Sequence, residues 1–131
     1  MKIKVATAWL GGCSGCHMSF LDLDERLVEL SKLVEFTASP ITDVKEIPEV
    51  DVGIVEGAVC NEEQEHVLRT MRARCKALIA LGDCAITGNI PALRNQFVLD
   101  EVVARGFLDT RARRSVRFPG STMMTMTCRN C

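Results

Sequence analysis

The sequence lacks three features that would assign it at once to a broad class of protein. Its longest apolar stretch falls far short of the ~18 residues that a membrane-spanning helix requires. Its formal net charge of −1 at pH 7 gives no general attraction to nucleic acid or to an anionic membrane. It also shows no signal-peptide pattern at its start, so we expect a cytoplasmic protein with no membrane or nucleic-acid partner.

Cysteine is plentiful by contrast, with seven residues in a chain of 131. An odd number cannot pair completely within one chain, and disulfides are uncommon in a reducing cytoplasm. The sequence therefore favours metal-binding or redox roles for some of these thiols. The length is sufficient for a single domain that buries a core without covalent cross-links.

Short apolar runs alternate with segments of helical periodicity. Strands are predicted at residues 3–9, 34–37, 52–55 and 77–81. Helices are predicted at residues 18–33, behind a cap at Asn61, and from about residue 89 to 105. The alternation predicts an α/β fold over residues 1–110, a flavodoxin-like three-layer domain with a mostly parallel sheet and the second strand at an edge. Residues 111–131 are expected to form an irregular, atypical tail.

Reactive side chains follow three of the predicted strands, at the point where each strand ends. Cys13 and Cys16 come after the first strand, Glu56 after the third and Cys84 after the fourth. Ligands of open α/β sheets gather outside the carboxyl ends of the strands, so we expect these side chains on one rim. The glycines beside them are Gly12, Gly57 and Gly82.

The Cys13-x-x-Cys16 pair is compatible with four kinds of site. Two thiols at this spacing can reach two corners of an iron–sulfur cluster, with Cys84 as a third ligand. Together with His17 the pair matches the attachment pattern of c-type haem, although that chemistry usually accompanies export. Its place between a strand and a helix is that of a thioredoxin-like dithiol. A zinc site that adds Cys128-x-x-Cys131 has suitable ligands at an unusual spacing.

Three further residues have plainer interpretations. Cys75 falls on an apolar helix face and is predicted to be a small core residue. Cys60 lies just past a strand end, where a core or near-rim position is expected rather than a ligand. Glu56 is costly to bury without a partner, so it either accepts hydrogen bonds from neighbouring backbone N–H groups or serves the site.

Four motifs, in order and with matching spacing, give the chain a specific resemblance. They are GCSGCHMSFLD at residues 12–22, EGAV at 56–59, GDCAI at 82–86 and GNIPALRN at 88–95. Together they resemble the small subunit of a cytoplasmic [NiFe] hydrogenase, and more narrowly the bidirectional, NAD-reducing type. The similarity runs from about residue 2 to 110 and extends to the related cluster-binding subunit of respiratory complex I.

The resemblance implies an electron-transfer subunit that does not split hydrogen itself. It would hold one proximal [4Fe–4S] cluster, with Cys13, Cys16 and Cys84 as ligands, beside the nickel–iron site of a large partner subunit. Glu56 would lie near the cluster at the partner interface, with Gly12, Gly57 and Gly82 close by. Electrons would pass to diaphorase subunits that carry further clusters, FMN and NAD, and the chain itself is a candidate for FMN binding.

The sequence departs from the family pattern at the fourth cluster ligand. The family supplies this ligand from a Pro-Gly-Cys-Pro motif, whereas here Phe118-Pro119-Gly120-Ser121 carries a serine at the corresponding place. The candidates for a substitute are Cys128, Cys131 and Cys60. The departure predicts a subunit that is C-terminally truncated or altered. The alternatives to a four-cornered cluster are a three-cornered cluster, a cluster-deficient truncated subunit, and a flavin- or thiol-based redox module of the same fold.

Overall fold

The computed structural model describes residues 2–44 and 46–108. In these residues four parallel strands form one sheet in the order β2-β1-β3-β4. The strands are β1 (Ile3–Trp9), β2 (Val34–Ala38), β3 (Val50–Glu56) and β4 (Cys75–Leu81). The predicted α/β fold is confirmed, β2 lies at a sheet edge as expected, and the strand order is that of a flavodoxin-like sheet. The tail predicted at residues 111–131 lies outside the described residues.

Helical segments follow β1, β3 and β4, whereas the described residues between β2 and β3 form turns and irregular structure. The α-helices are α1 (Gly15–Leu21), α2 (Glu25–Leu33), α3 (Glu62–Arg74), α4 (Asp83–Thr87), α5 (Asn89–Ala92) and α6 (Leu99–Val103). A 3₁₀-helix at Leu93–Gln96 separates α5 from α6, and a π-helix at Ala104–Leu108 continues α6. Most of these segments are short, so their positions depend on tertiary contacts more than on helix propensity.

The prediction of one continuous helix over residues 18–33 is wrong. α1 begins earlier, at Gly15, and a break at residues 22–24 separates it from α2. Asp24 has a φ of 48°, which a helix interior does not allow. The apolar spacing continues across the break, which is why periodicity alone did not reveal it.

The helix predicted from about residue 89 to 105 is also interrupted. Phe97 has extended backbone dihedrals at the end of the 3₁₀-helix, and α6 starts only two residues later. Gly106, expected as the stop, lies inside the terminal π-helix. This part of the chain is therefore a series of short turns of helix packed after β4.

The hydrophobic core lies between the sheet and α3. Met71 of α3 is fully buried and packs on Gly53 of β3, where an added Cβ would lie 2.8 Å from the Met71 Sδ atom. Burial of a methionine side chain contributes roughly 1.5–3 kcal/mol. Cys75 is a core residue as predicted, although it is the first residue of β4 and not part of the helix.

The register of the sheet aligns the carboxyl ends of three strands. Trp9, the last residue of β1, pairs with Glu56, the last residue of β3. Glu56 in turn pairs with Leu81, the last residue of β4. The segments that follow these strands therefore start side by side, and the predicted common rim is confirmed.

Candidate functional site

Backbone hydrogen bonds join the loops that follow β1 and β3. The N–H of Leu10 donates to the carbonyl of Glu56 over 2.8 Å. Gly11 and Ala58 exchange two hydrogen bonds of 2.8 and 2.7 Å. Gly57, with a φ of 84°, leaves no room for a side chain because an added Cβ would lie 2.9 Å from the Gly11 carbonyl oxygen. The two loops, residues 10–11 and 56–58, are thus joined by hydrogen bonds at the rim, and together they are called the ledge.

The cysteine segment, residues 11–16, leads from this ledge into α1. An added Cβ on Gly12 would lie 3.3 Å from the Gly57 Cα atom, so this glycine too lies against the loop after β3. Ser14 adopts a left-handed conformation with a φ of 62° and turns the chain into the helix. The N–H of Gly15 donates to the Cys13 sulfur over 3.4 Å. Cys13 is exposed, whereas Cys16 is only partly exposed.

The Cys16 sulfur lies against Gly82, the residue that follows β4. A Cβ added to Gly82 would lie 2.1 Å from this sulfur, and the φ of 84° at Gly82 further restricts the position to glycine. Cys84 follows two residues later, in the first turn of α4. The pKa of the Cys16 thiol is raised above its usual value by burial first, and then by the negative charges of Glu56, Cys13 and Cys84. Cys13 and Cys16 therefore share one segment, and Cys84 lies in the neighbouring segment that follows β4.

Glu56 points from the end of β3 to the start of α1. The residue is only 4% exposed, and its Oε2 atom accepts a hydrogen bond from the backbone N–H of His17. The contact matches one of the two expectations for Glu56, a hydrogen bond to a neighbouring backbone N–H group.

His17 is a buried packing residue. It is 4% exposed, and its ring makes edge-on contacts with Trp9 at 5.4 Å and with Phe20 at 6.3 Å between centroids. Burial lowers the pKa of His17, and the charge of Glu56 opposes that effect in part. The neutral ring therefore belongs to the packing of α1 on the sheet.

Cys60 lies against the ledge at Gly11. Its sulfur occupies the space beside Gly11, where an added Cβ would lie 2.2 Å away. The Cys60 N–H donates to the Gln64 side chain over 2.8 Å, and its carbonyl accepts from Arg94 over 2.7 Å. Cys60 and Cys84 both line a largely apolar cavity of about 480 Å³. Sequence reasoning did not identify the cavity or the Arg94 contact.

The described residues hold no group of three or more histidine, cysteine or acidic side chains arranged around a single metal ion. A four-iron cluster is larger than one ion, so its thiolates lie around it instead of converging on a point. Cys128 and Cys131, candidates for a fourth ligand and for the zinc alternative, lie outside the described residues. Over residues 2–44 and 46–108, none of the helices has the length and apolar character needed to cross a membrane.

This geometry defines the class of the protein as a parallel α/β domain with thiols at the carboxyl edge of its sheet. The family described as NADH ubiquinone oxidoreductase, 20 Kd subunit, matches residues 13–125. The chain belongs to this family.

Similar proteins narrow the relationship within the family. The chain is 46% identical over 110 residues to the NAD-reducing hydrogenase HoxS subunit delta of Cupriavidus necator, a match that covers 83% of the chain. It is 36% identical over 117 residues to the iron-sulfur subunit of an F420-non-reducing hydrogenase of Archaeoglobus profundus, a match that covers 82% of the chain. The predicted resemblance to hydrogenase small subunits is confirmed.

A solved structure agrees with the fold as well as with the sequence. A chain in the crystal structure of an NAD+-reducing [NiFe]-hydrogenase in the H2-reduced state matches 93% of this chain, with 45% identity and a TM-score of 0.83. The match spans 66% of that chain. The matches to the relatives span 53% of the Cupriavidus protein and 36% of the Archaeoglobus protein.

Proposed function

We propose that this chain is the electron-transfer small subunit of a cytoplasmic [NiFe] hydrogenase of the NAD-reducing type. A proximal [4Fe–4S] cluster, held by Cys13, Cys16 and Cys84, relays electrons between the nickel–iron site of a large partner subunit and a diaphorase module. The chain is one part of an oxidoreductase acting on hydrogen and is not catalytic alone. The relatives named as hydrogenase subunits support the proposal.

The observation that carries the proposal is the set of three thiols on one rim. Cys13 and Cys16 lie in one segment, and the Cys16 sulfur lies against Gly82, two residues before Cys84. Iron–sulfur clusters are held by cysteine thiolates, usually four, so these three would supply three of the corners. Such a cluster supplies a site that accepts and releases electrons.

The surroundings of the thiols fit such a group. Gly82 leaves space for the Cys16 sulfur, and the Gly15 N–H donates to the Cys13 sulfur. Hydrogen bonds to cluster sulfurs and the degree of burial tune the reduction potential. The fourth ligand comes from Cys60, Cys128 or Cys131.

The test is anaerobic reconstitution of the full chain with iron and sulfide. We expect about four irons per chain, with labile sulfide and an EPR signal on reduction. Cys84→Ala is expected to lose iron or to change the EPR signal. Cys75→Ala is the matched control, because this cysteine is buried at the opposite end of β4 from the rim.

Other outcomes separate the remaining hypotheses. An iron-free wild-type chain under these conditions contradicts the proposal. FMN bound without iron favours a flavin-based redox module of the same fold, and FMN bound together with iron adds a second cofactor to the proposed subunit. Replacement of Cys60, Cys128 and Cys131 by serine, one at a time, identifies the fourth ligand by the loss of iron or a change in the EPR signal.

A further inference from the structure

Helix α1 begins without the usual means of satisfying its first N–H groups. The first turn of a helix leaves up to four backbone N–H groups without a partner inside the helix. Ser14 precedes α1 in a left-handed conformation, and its side chain makes no capping hydrogen bond in the described chain. The first turn, which contains Cys16, has no acidic residue to complement the helix dipole.

Glu56 supplies the missing acceptor from another element. It is 39 residues away from His17 in sequence, yet its carboxylate accepts the His17 N–H in the first turn of α1. The backbone of Glu56 is itself fixed, since it pairs with Trp9 and Leu81 and its carbonyl accepts from Leu10. The hydrogen bond therefore connects the cysteine segment to a rigid point of the sheet.

We infer that Glu56 is a positioning residue for the cluster ligands: its carboxylate anchors the first turn of α1, holds Cys16 on the rim, and places an acidic side chain close to that cysteine. This inference deepens the proposed function and rests on it for the role of the cluster. The anchor itself is a property of the metal-free chain and is tested separately.

The hydrogen bond of Glu56 acts on the position of α1, whereas a charge on its side chain would act on the reduction potential of the cluster. The hydrogen bond from the His17 N–H to Glu56 joins the first turn of α1 to the sheet, so its loss frees that turn. A negative charge close to the cluster disfavours the added electron and lowers the reduction potential. The Glu56 carboxylate accepts the N–H of His17, the residue that follows Cys16, so it lies close to this cysteine in the chain.

Two substitutions separate these consequences. Glu56→Gln keeps an oxygen acceptor and removes the charge, whereas Glu56→Ala removes both. Glu35→Ala is the matched control, because Glu35 is an exposed strand glutamate on β2. The measurements are hydrogen–deuterium exchange of the His17 amide in the full metal-free chain, iron content after reconstitution, and the reduction potential of the bound cluster.

We expect Glu56→Ala to raise the exchange rate of the His17 amide about tenfold or more and to reduce iron uptake. Glu56→Gln is expected to keep most of the amide protection and the iron content, and to shift the reduction potential to a more positive value. Glu35→Ala should match the wild type in all three measurements. If Glu56 had a purely structural role, Glu56→Gln would restore both the iron content and the reduction potential of the wild type. Restored iron content with a shifted reduction potential would therefore show that the charge also acts on the cluster.

Two results overturn the inference. Unchanged His17 exchange in Glu56→Ala shows that the carboxylate does not anchor α1. An unchanged potential in an iron-loaded Glu56→Gln chain shows that its charge does not act on the cluster. If the wild type binds no iron, the proposed function fails, but the exchange measurement still decides whether Glu56 is the anchor.

Discussion

At the scale of single residues, Gly82 packs so closely against the Cys16 sulfur that a side chain at position 82 would not fit. Gly82 has a φ of 84° and a ψ of 167°, a conformation that is essentially restricted to glycine. Gly82→Ala should therefore cost about 1–3 kcal/mol of unfolding free energy in the metal-free chain. It should also lower the iron content after reconstitution, because the new methyl group would displace the Cys16 sulfur. Denaturant unfolding and iron analysis measure the two effects.

Gly106→Ala is the control for this prediction. No described atom lies within 4 Å of a Cβ added at Gly106, and this residue is inside a helix. Alanine there should be neutral or stabilise the chain by about 0.5–1 kcal/mol, with no change in iron content. Equal effects of the two substitutions would show that Gly82 has no specific role at the rim.

The rim residues could be predicted individually, but their contacts could not. Cys13, Cys16, Glu56 and Cys84 each follow an apolar run, and strand ends of a parallel sheet meet at one edge. The hydrogen bond between His17 and Glu56 spans 39 residues and has no local signal in the sequence. The contact of Arg94 with the Cys60 carbonyl, which spans 34 residues, was missed for the same reason.

At the scale of elements, α3 is the one α-helix in the described part of the chain whose N-cap side chain accepts a hydrogen bond. The Asn61 side chain accepts the Gln64 N–H over 2.8 Å, as the sequence predicted. Asn61→Ala removes this acceptor and should cost about 1 kcal/mol of unfolding free energy. Asn61→Ser retains a capping oxygen and should stay close to the wild type. Denaturant unfolding measures both, and an Asn61→Ala chain as stable as the wild type would contradict the role of the cap.

Asp51 connects three strands at the other end of the sheet. It accepts a hydrogen bond from the Lys4 N–H of β1 over 2.9 Å and one from the Lys76 side chain of β4 over 2.7 Å. The hydrogen bond from Lys76, followed by that from the Lys4 backbone, holds the pKa of Asp51 below its usual value. Folding therefore stabilises the ionised form of the Asp51 carboxyl group relative to its protonated form.

This shift predicts a pH dependence of stability. A carboxylate with a lowered pKa stabilises the fold above its unfolded pKa, and the contribution is lost as the pH falls through the folded pKa. Asp51→Asn should be less stable than the wild type at pH 7, and the difference should shrink as the pH falls below about 4. Denaturant midpoints of the metal-free chain between pH 3 and pH 7 test this. A constant difference across that range, or an equal effect of Asp43→Asn in an exposed loop, would contradict it.

The strands were easier to predict than the helices. The third strand was predicted at residues 52–55 and is β3, Val50–Glu56, because an apolar run between turn residues marks a strand directly. The break between α1 and α2 depends on the positive φ of Asp24, which no apolar periodicity reports. The short helices after β4 were also hard to predict, because their bounds depend on tertiary packing and not on apolar periodicity.

At the scale of the whole molecule, exposed apolar side chains concentrate in the segment after β4. Among residues 2–44 and 46–108, most of the large apolar side chains that are more than half exposed lie between residues 86 and 107. They are Ile86, Ile90, Leu93, Phe97, Val98 and Phe107. Exposed apolar surface on this scale marks a site of protein association, or a liability to aggregate when the partner is missing.

The isolated chain should therefore self-associate through this segment. The double substitution of Ile90→Ser and Phe97→Ser removes two side chains that are 67% and 62% exposed, so it should reduce association with little loss of unfolding free energy. Val28→Ser, at a side chain 63% exposed on α2, is the matched control and should leave association unchanged. Sedimentation over a range of protein concentrations measures the effect. A wild-type chain that stays monomeric throughout, or a control that acts like the double substitution, would show that this segment is not the cause.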